Sequence, residues 1–420
     1  MKPKIRFKGF EGEWKEYSLG EVGSIYSGIG FPECEQGGRS GIPFYKVSDM
    51  NNQGNESIMH SSNNYVSDKQ IQRNHWKICS ETPAIFFAKV GAAVMLNRKR
   101  IVLEPCLCDN NTMMFSLSKD KWSTNFALPL FNNVDFPSLA QVGSLPSFNG
   151  SQVKEIKVKL PKFEEQEMVG KYFTSLDSQI SASTSRLASL KQMKAASLQA
   201  MFPQEGETVP KIRFKGFEGE WKKVMFSETF EFLKNNSLSR AELSNEGDIV
   251  NVHYGDVLIK YGDLLNIQNE ELTFIADNKI GNTLYNSCHL QNGDIIIADA
   301  AEDNTVGKCS EIVNICNKRV VSGLHTIPCR PLNHFAQGYL GHYINSESYH
   351  NQLLPLIQGS KISSISKKTL SQTIVLVPSI EEQKCIGNYF TSLDRQISLQ
   401  SQRLEKLKQI KSACLDKMFV

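Results

Sequence analysis

EEQEMVGKYFTSLDSQISASTSRLASLKQMKAASLQAMFP, residues 164–203, returns at 381–420 as EEQKCIGNYFTSLDRQISLQSQRLEKLKQIKSACLDKMFV, with more than half of the aligned positions identical. A second box, PKIRFKGFEGEWK, stands unchanged at 3–15 and at 210–222. A long internal repeat sets the architecture before any local reading. The order is box, variable region, helix, and then the same again. The two variable regions share little sequence, so a fixed frame carries two different inserts.

The apolar spacing of the 40-residue repeat is helical. Leu176, Ile180, Leu187, Leu190, Ser197 and Met201 fall on a heptad-like stripe, interrupted by Ser183 and Lys194. Leu393, Ile397, Leu404, Leu407, Cys414 and Met418 fall on the same stripe, interrupted by Gln400 and Lys411. Such spacing predicts a coiled-coil seam. Ser379 with Glu382 predicts a capping box at the second helix, whereas Lys162 weakens the first cap. Thr174 and Thr391, each followed three residues on by Asp, suggest a short helix up to Phe173 and a long one after it. Gly170 and Gly387 each cost a helix about 1 kcal/mol, which points to close packing at those places. From Thr174 a helix would run roughly 40 Å. The linker 203–209 reaches at most about 25 Å. A second insert that starts near the end of helix one and finishes at the start of helix two fits an antiparallel pair. It puts the inserts at opposite ends of a rod with pseudo-twofold symmetry.

A chain of 420 residues holds two to three domains. Its net charge of +3 is below that of a self-sufficient nucleic-acid binder. The opening MKPKIRFKGF has no apolar core of a secretory signal, and no apolar run nears the roughly 20 residues of a membrane span. Ten scattered cysteines suit a reduced, cytoplasmic protein.

Along the first insert, 17–31 reads as a short helix running into a Gly-rich turn, 41–50 as a strand and turn, and 51–75 as loop. Residues 84–96 read as two strands about a glycine turn, with Asn97, Arg98, Lys99 and Arg100 as a basic hairpin tip. Residues 106–117 read as a strand pair and 151–161 as an edge strand. In the second insert 226–238 is the early helix. Residues 247–258 match 41–50, 293–313 match 84–103, 319–331 match 104–117, and 358–378 match the end of the first insert. One mixed fold built twice is expected.

Catalytic motifs are lacking: no phosphate loop, no HExxH, no methyltransferase motif and no Gly-rich cofactor turn. Cys106 with Cys108, and Cys309 and Cys316 with His325, lack the paired spacing of structural zinc and read as small thiols. A DNA-reading scaffold, a coiled-coil adaptor with no DNA role, and a solitary nuclease or methyltransferase all remain open at this point, the last disfavoured by the missing motifs.

The opening box, GIPFYKVSDM, the GDIIIA…VGK…SGLHT series and the EEQ…LD..I…RL..LKQ.K helix together resemble the specificity (HsdS) subunits of type I restriction-modification systems. The resemblance covers essentially the whole chain. It implies target recognition domains at 1–160 (with box 3–15) and 204–377 (with box 210–222), and spacer helices at 161–203 and 378–420. It implies an α+β chain that is not itself an enzyme. Each recognition domain would read half of a bipartite, asymmetric site on double-stranded DNA. Two modification subunits and restriction subunits would dock on the frame, and S-adenosylmethionine, ATP and magnesium would belong to those partners. A modification-only system fits the same resemblance. Basic and amide side chains suit base edges, so the candidate DNA contacts are Lys46, Lys89, Asn97, Arg98, Lys99 and Arg100 in the first domain. In the second they are His253, Tyr254, Lys260, Lys308, Lys361 and Ser363.

Overall fold

The computed structural model describes residues 2–140, 145–268, 270–359 and 362–419. It divides into two compact units, residues 1–184 with 402–420, and residues 185–401. Each unit therefore holds a variable region and one end of both long helices.

In the first unit, β1 (Lys15–Ser18) and β2 (Gly23–Ser27) lead into β3 (Ile42–Tyr45), β4 (Tyr65–Val66), β5 (Ala84–Ala88), β6 (Lys99–Val102), β7 (Leu107–Cys108), β8 (Thr112–Leu117) and β9 (Lys157–Leu160). The order β2-β8-β5-β6 makes one antiparallel sheet, and β4-β3-β7 makes a second in which β3 and β7 run parallel. β1 and β9 form a separate antiparallel pair. The run AIFFA of β5 is buried at every residue, as a central strand covered on both faces must be.

The second unit repeats this plan. Its strands are β10 (Lys222–Met225), β11 (Phe230–Phe232), β12 (Leu243–Ser244), β13 (Ile249–Val252), β14 (Leu264–Asn266), β15 (Phe274–Ile275), β16 (Ile295–Ala298), β17 (Ala300–Ala301), β18 (Cys309–Val313), β19 (Arg319–Ser322), β20 (Thr326–Pro331), β21 (Ser363–Ser364) and β22 (Ile374–Val377). The order β11-β20-β16-β18 reproduces β2-β8-β5-β6, with β14 added at the edge. The parallel pair β13–β19 reproduces β3–β7, and β10–β22 reproduces β1–β9. One fold is built twice, as the spacing of matched segments suggests.

Several local expectations fail. Residues 92–96 form a 3-10 helix instead of a second strand, so Asn97–Arg100 is no hairpin tip: Asn97 is a left-handed helix cap and Lys99 opens β6. Residues 51–75 are not all loop, since they contain β4 and a helix at Asp68–Arg73. The supposed edge strand begins as a helix, Gly150–Glu155, capped by Asn149. The early helix at 226–238 lasts only from Phe226 to Thr229.

The long helices, Phe163–Met201 and Ile380–Met418, are each 39 residues and unbroken. No restart occurs at Thr174 or Thr391, because packing outweighs the glycines that precede them. A Cβ on Gly170 would lie 2.8 Å from the Asn125 carbonyl carbon and the Phe126 nitrogen, and one on Gly387 would lie 2.4 Å from the Gln337 oxygen. The glycines thus admit the backbone at the start of the helices Thr124–Asn132 and Tyr339–Ile344. Gly387→Ala should destabilise its unit by about 1–3 kcal/mol through overpacking, although helix propensity alone favours Ala by about 1 kcal/mol. A raised thermal midpoint would show that the close approach does not matter.

Within each unit the two helices run antiparallel. In the first, Lys411 Nζ meets Asp177 Oδ1 at 2.5 Å and Cys414 Sγ meets the Tyr172 hydroxyl at 3.6 Å. In the second, Lys194 Nζ meets Asp394 Oδ1 at 2.5 Å and Ser197 Oγ meets the Tyr389 hydroxyl at 2.9 Å. In each pair of contacts one number rises as the other falls. The lysines that interrupt the stripe are thus ion-paired across it. Leu176, Leu190, Met201, Leu393, Leu404 and Met418 are buried, and Ile180, Leu187, Ile397 and Leu407 are half-buried.

The repeated box and the EEQ that opens each helix are one device. Arg6 grips Glu165 through Nε and Nη2, both at 2.7 Å, and Arg213 grips Glu382 at 2.7 and 2.8 Å. Gln166 accepts from the Ser123 N–H and Gln383 from the Ala336 N–H, each ahead of the helix that its glycine admits. Ser379 caps its helix through the Glu382 N–H, but the Glu382 carboxylate goes to Arg213 and does not close a capping box. Ile5 donates its N–H to the Lys417 carbonyl and Ile212 to the Ala200 carbonyl, so each box satisfies a carbonyl left free at a helix end.

Candidate nucleic-acid interface

The structure separates the sequence-predicted contacts into surface and support. In the first unit Lys99 is only 1% exposed: its Nζ donates to the Val134 carbonyl at 2.7 Å and lies 5.0 Å from the Phe136 ring centre. Burial pulls its ammonium down to about 7. Asn97 bonds Val134 and Phe136. The Arg100 guanidinium is spent on the carbonyls of Asn55, Lys99 and Met50. These three residues support the fold instead of facing a ligand, because strand alternation turns Lys99 inward and the neighbouring loop has carbonyls to satisfy. Arg98 is exposed and holds Asn51 at 2.7 Å. Lys46 and Lys89 lie at the surface ends of β3 and β5.

In the second unit His253 is buried and caps the helix Tyr254–Ile259 by accepting from the Gly255 N–H, and burial lowers its pKa. Lys308 donates to the carbonyls of Leu258 and Tyr261, closing the other end of that helix. Both are corrections to the expected contacts. Tyr254 and Ser363 are half-exposed, and Lys260 is exposed near Glu271. Lys361 lies outside the described residues.

The repeated topology brings unlike residues to matched places. Asp109 donates its N–H to the Tyr45 carbonyl at the end of β3, as Gly323 does to Val252 at the end of β13. Lys89 donates its N–H to the Asn111 carbonyl, as Asp299 does to His325. Thr112 Oγ1 closes the first turn on the Asp109 carbonyl, and Thr326 closes the second on Gly323. The matched pairs are therefore Lys46 with His253, Lys89 with Asp299, Asp109 with Gly323 and Asn111 with His325.

The first edge is cationic. Lys46 Nζ donates to Gln36, Lys89 Nζ to Ser27 at 2.8 Å, and Asn111 Nδ2 to Asp109 Oδ2. Burial pushes the Asp109 carboxyl up. The second edge is aromatic and imidazole-rich. The Tyr254 ring lies 4.7 Å from His253 and 5.3 Å from His325, whose Nδ1 is 3.2 Å from Asp299 Oδ1. Burial raises the Asp299 carboxyl against the pull of His325. Asp109, Asn111, Asp299 and His325, which the sequence-predicted contacts leave out, lie at these edges because strand pairing brings them there. Aligning DNNT (109–112) with GLHT (323–326) on their shared threonine was the available signal.

A network centred on the buried His342 lies elsewhere in the second unit. His342 Nε2 is 2.9 Å from Asp394 Oδ2, and Lys194 Nζ lies 2.7 Å from Asp263 and 2.5 Å from Asp394. Asp263, His342 and Asp394 are close enough together to ligate a metal, but the Lys194 ammonium already fills the place of a cation. Cys106, Cys108 and Cys309 are buried thiols, while Cys316 and His325 are exposed. Among the described residues no helix is long and apolar enough to cross a membrane.

The family model described as type I restriction modification DNA specificity domain matches residues 11–192 and again 218–409. The putative type I restriction enzyme MjaX specificity subunit of Methanocaldococcus jannaschii is 21% identical over 280 residues, 64% of this chain and 60% of that one. The type I restriction enzyme StySPI specificity subunit of Salmonella potsdam is 27% identical over 153 residues, 34% of this chain and 31% of that one. The chain thus spans about three-fifths of the length of the first of these curated relatives. Among solved structures, the S subunit of a type I restriction-modification system from M. genitalium superposes with a TM-score of 0.59 at 14% identity, over 100% of this chain and 99% of that one. A chain from a structure of type I system complex assembly and conformational transition gives 0.51 at 17% identity, over 97% and 98%. These two likenesses show the fold.

Proposed function

This chain belongs to the type I restriction modification DNA specificity domain family, and from that premise we propose that it is the non-catalytic DNA-reading subunit of such a system. The recognition domains, 1–160 and 204–377, each bind one half of a bipartite, asymmetric site on double-stranded DNA. The helices, 161–203 and 378–420, set the gap between halves and carry two modification subunits and the restriction subunits. S-adenosylmethionine, ATP and magnesium are held by those partners. The observation that carries this reading is one topology built twice with unlike residues at matched strand ends. Identical inserts on such a frame would call for a palindrome, and unlike ones call for an asymmetric site. Partner docking at both halves is supported by the identical boxes, which leave Ile5 and Ile212 45% and 59% exposed.

The test is to co-express the chain with its modification subunit and map methylated adenines across the host genome. A two-part motif with a constant gap, dependent on this chain, is expected. A single continuous motif, or no new methylation, would overturn the reading.

A further inference from the structure

Four buried side-chain polar atoms among the described residues have no hydrogen-bond partner in the protein: Asp109 Oδ1, Trp221 Nε1, Asn251 Nδ2 and Tyr261 Oη. Buried polar groups are nearly always paired, so each exception calls for a reason. Two of the four sit by the matched edge, one in each unit. Asp109 is 6% exposed and follows β7, while Asn251 lies within β13 at 0% and borders Gly323. The frame keeps its ion-pairing residues identical between copies, as Arg6 and Arg213, Glu165 and Glu382, Asp177 and Asp394, and Lys194 and Lys411 show. The edge changes nearly all of its own on the same backbone. Residues held constant answer a constant task, and residues that vary at matched places on one scaffold answer different ligands.

We propose that the ends of β3 and β5 and the β7–β8 turn, carrying Lys46, Lys89 and Asn111, read base edges in the first half-site, and that the matched ends in the second domain, carrying Tyr254, Asp299 and His325, read the other. This rests on the function proposed above and names the positions that decide sequence. The ligand is the major-groove face of duplex DNA. Two ammonium groups only donate, so they select acceptors, which guanine O6 and N7 supply. Asp299 accepts, and in the neutral tautomer that places Nδ1–H on Asp299 Oδ1, 3.2 Å away, His325 offers Nε2 as a second acceptor. That pair selects the exocyclic amino groups of cytosine or adenine. The first half-site therefore contains guanine opposite the lysines, and the second contains an amino-bearing base opposite Asp299 and His325.

The experiment uses the complex of this chain with its modification subunit and selects bound duplexes from a randomised library, for wild type, Lys89→Ala and His325→Ala. The expected result is a loss of base preference of about tenfold at one or two positions. Lys89→Ala should relax the first half alone, and His325→Ala the second alone, with the gap unchanged. If wild type selects no two-part motif, the proposed function fails. If wild type selects one and both variants keep both halves of it, the function stands and this inference is overturned. Uniform weakening with an unchanged motif also overturns it, since that marks phosphate contacts. Should a variant lose binding at both halves through misfolding, Lys89→Met and His325→Leu, which keep bulk but remove the donating ammonium and the accepting ring nitrogen, are read by the same criterion.

Discussion

Arg213→Ala is expected to destabilise the second unit by about 3–5 kcal/mol, the cost of leaving a buried carboxylate without its cation. The Glu382 side chain is only 1% exposed, and Arg213 holds both of its oxygens. Arg213 Nη1 also donates to the Gly219 carbonyl at 2.6 Å, so the same group closes the turn of the box. A lysine presents a point charge in place of a planar fork, so Arg213→Lys should recover part of the loss and no more. Arg213→Ala with Glu382→Gln should cost less than the sum of the two single changes, because the pair acts as a unit. Denaturant unfolding of these three variants and of Glu382→Gln alone checks this. A loss below about 1 kcal/mol in the single alanine variant would put the pair among ordinary surface ion pairs. Arg6→Ala should act likewise in the first unit, where Glu165 is 2% exposed and also accepts from the Trp14 indole N–H.

Lys99→Met should stabilise the first unit at pH 7 by about 2–4 kcal/mol, and the gain should vanish toward pH 10.5. Burial lowers the folded-state pKa of Lys99 from 10.5 to about 7. The unfolded chain therefore binds more protons between those values, and wild-type stability rises with pH across that window. The contribution of the neutral amine is present above 10.5 and is lost as pH falls through about 7. Methionine has no proton to lose, so the variant lacks this slope. The Val134 carbonyl loses its donor in the variant, which trims the gain. Unfolding free energies of both proteins at pH 7 and pH 10 make the comparison. A difference between them that does not narrow as pH rises would show that Lys99 stays charged in its pocket.

The repeat and its consequences were legible in the amino-acid string. Identical boxes and helices required one frame used twice, heptad spacing required a seam, and the short linker required antiparallel helices. The stripe lysines Lys194 and Lys411 were visible only as interruptions, because the aspartates that meet them from the facing helix, Asp394 and Asp177, stand 200 and 234 residues away in sequence. Local propensity misled at Thr174 and Thr391, where cap-like residues sit inside unbroken helices. There the burial of a stripe over 39 residues outweighs a cap worth about 1 kcal/mol. Basic character misled at Lys99, Arg100 and Lys308. A cation in the string looks the same whether it faces water or satisfies a carbonyl indoors, and only the packing of strands and turns around it separates the two. Sequence alone determined that this protein is two inserts on one duplicated frame. Tertiary structure decided which side chains the inserts present, because strand pairing assembles each edge from segments tens of residues apart and turns alternate residues inward.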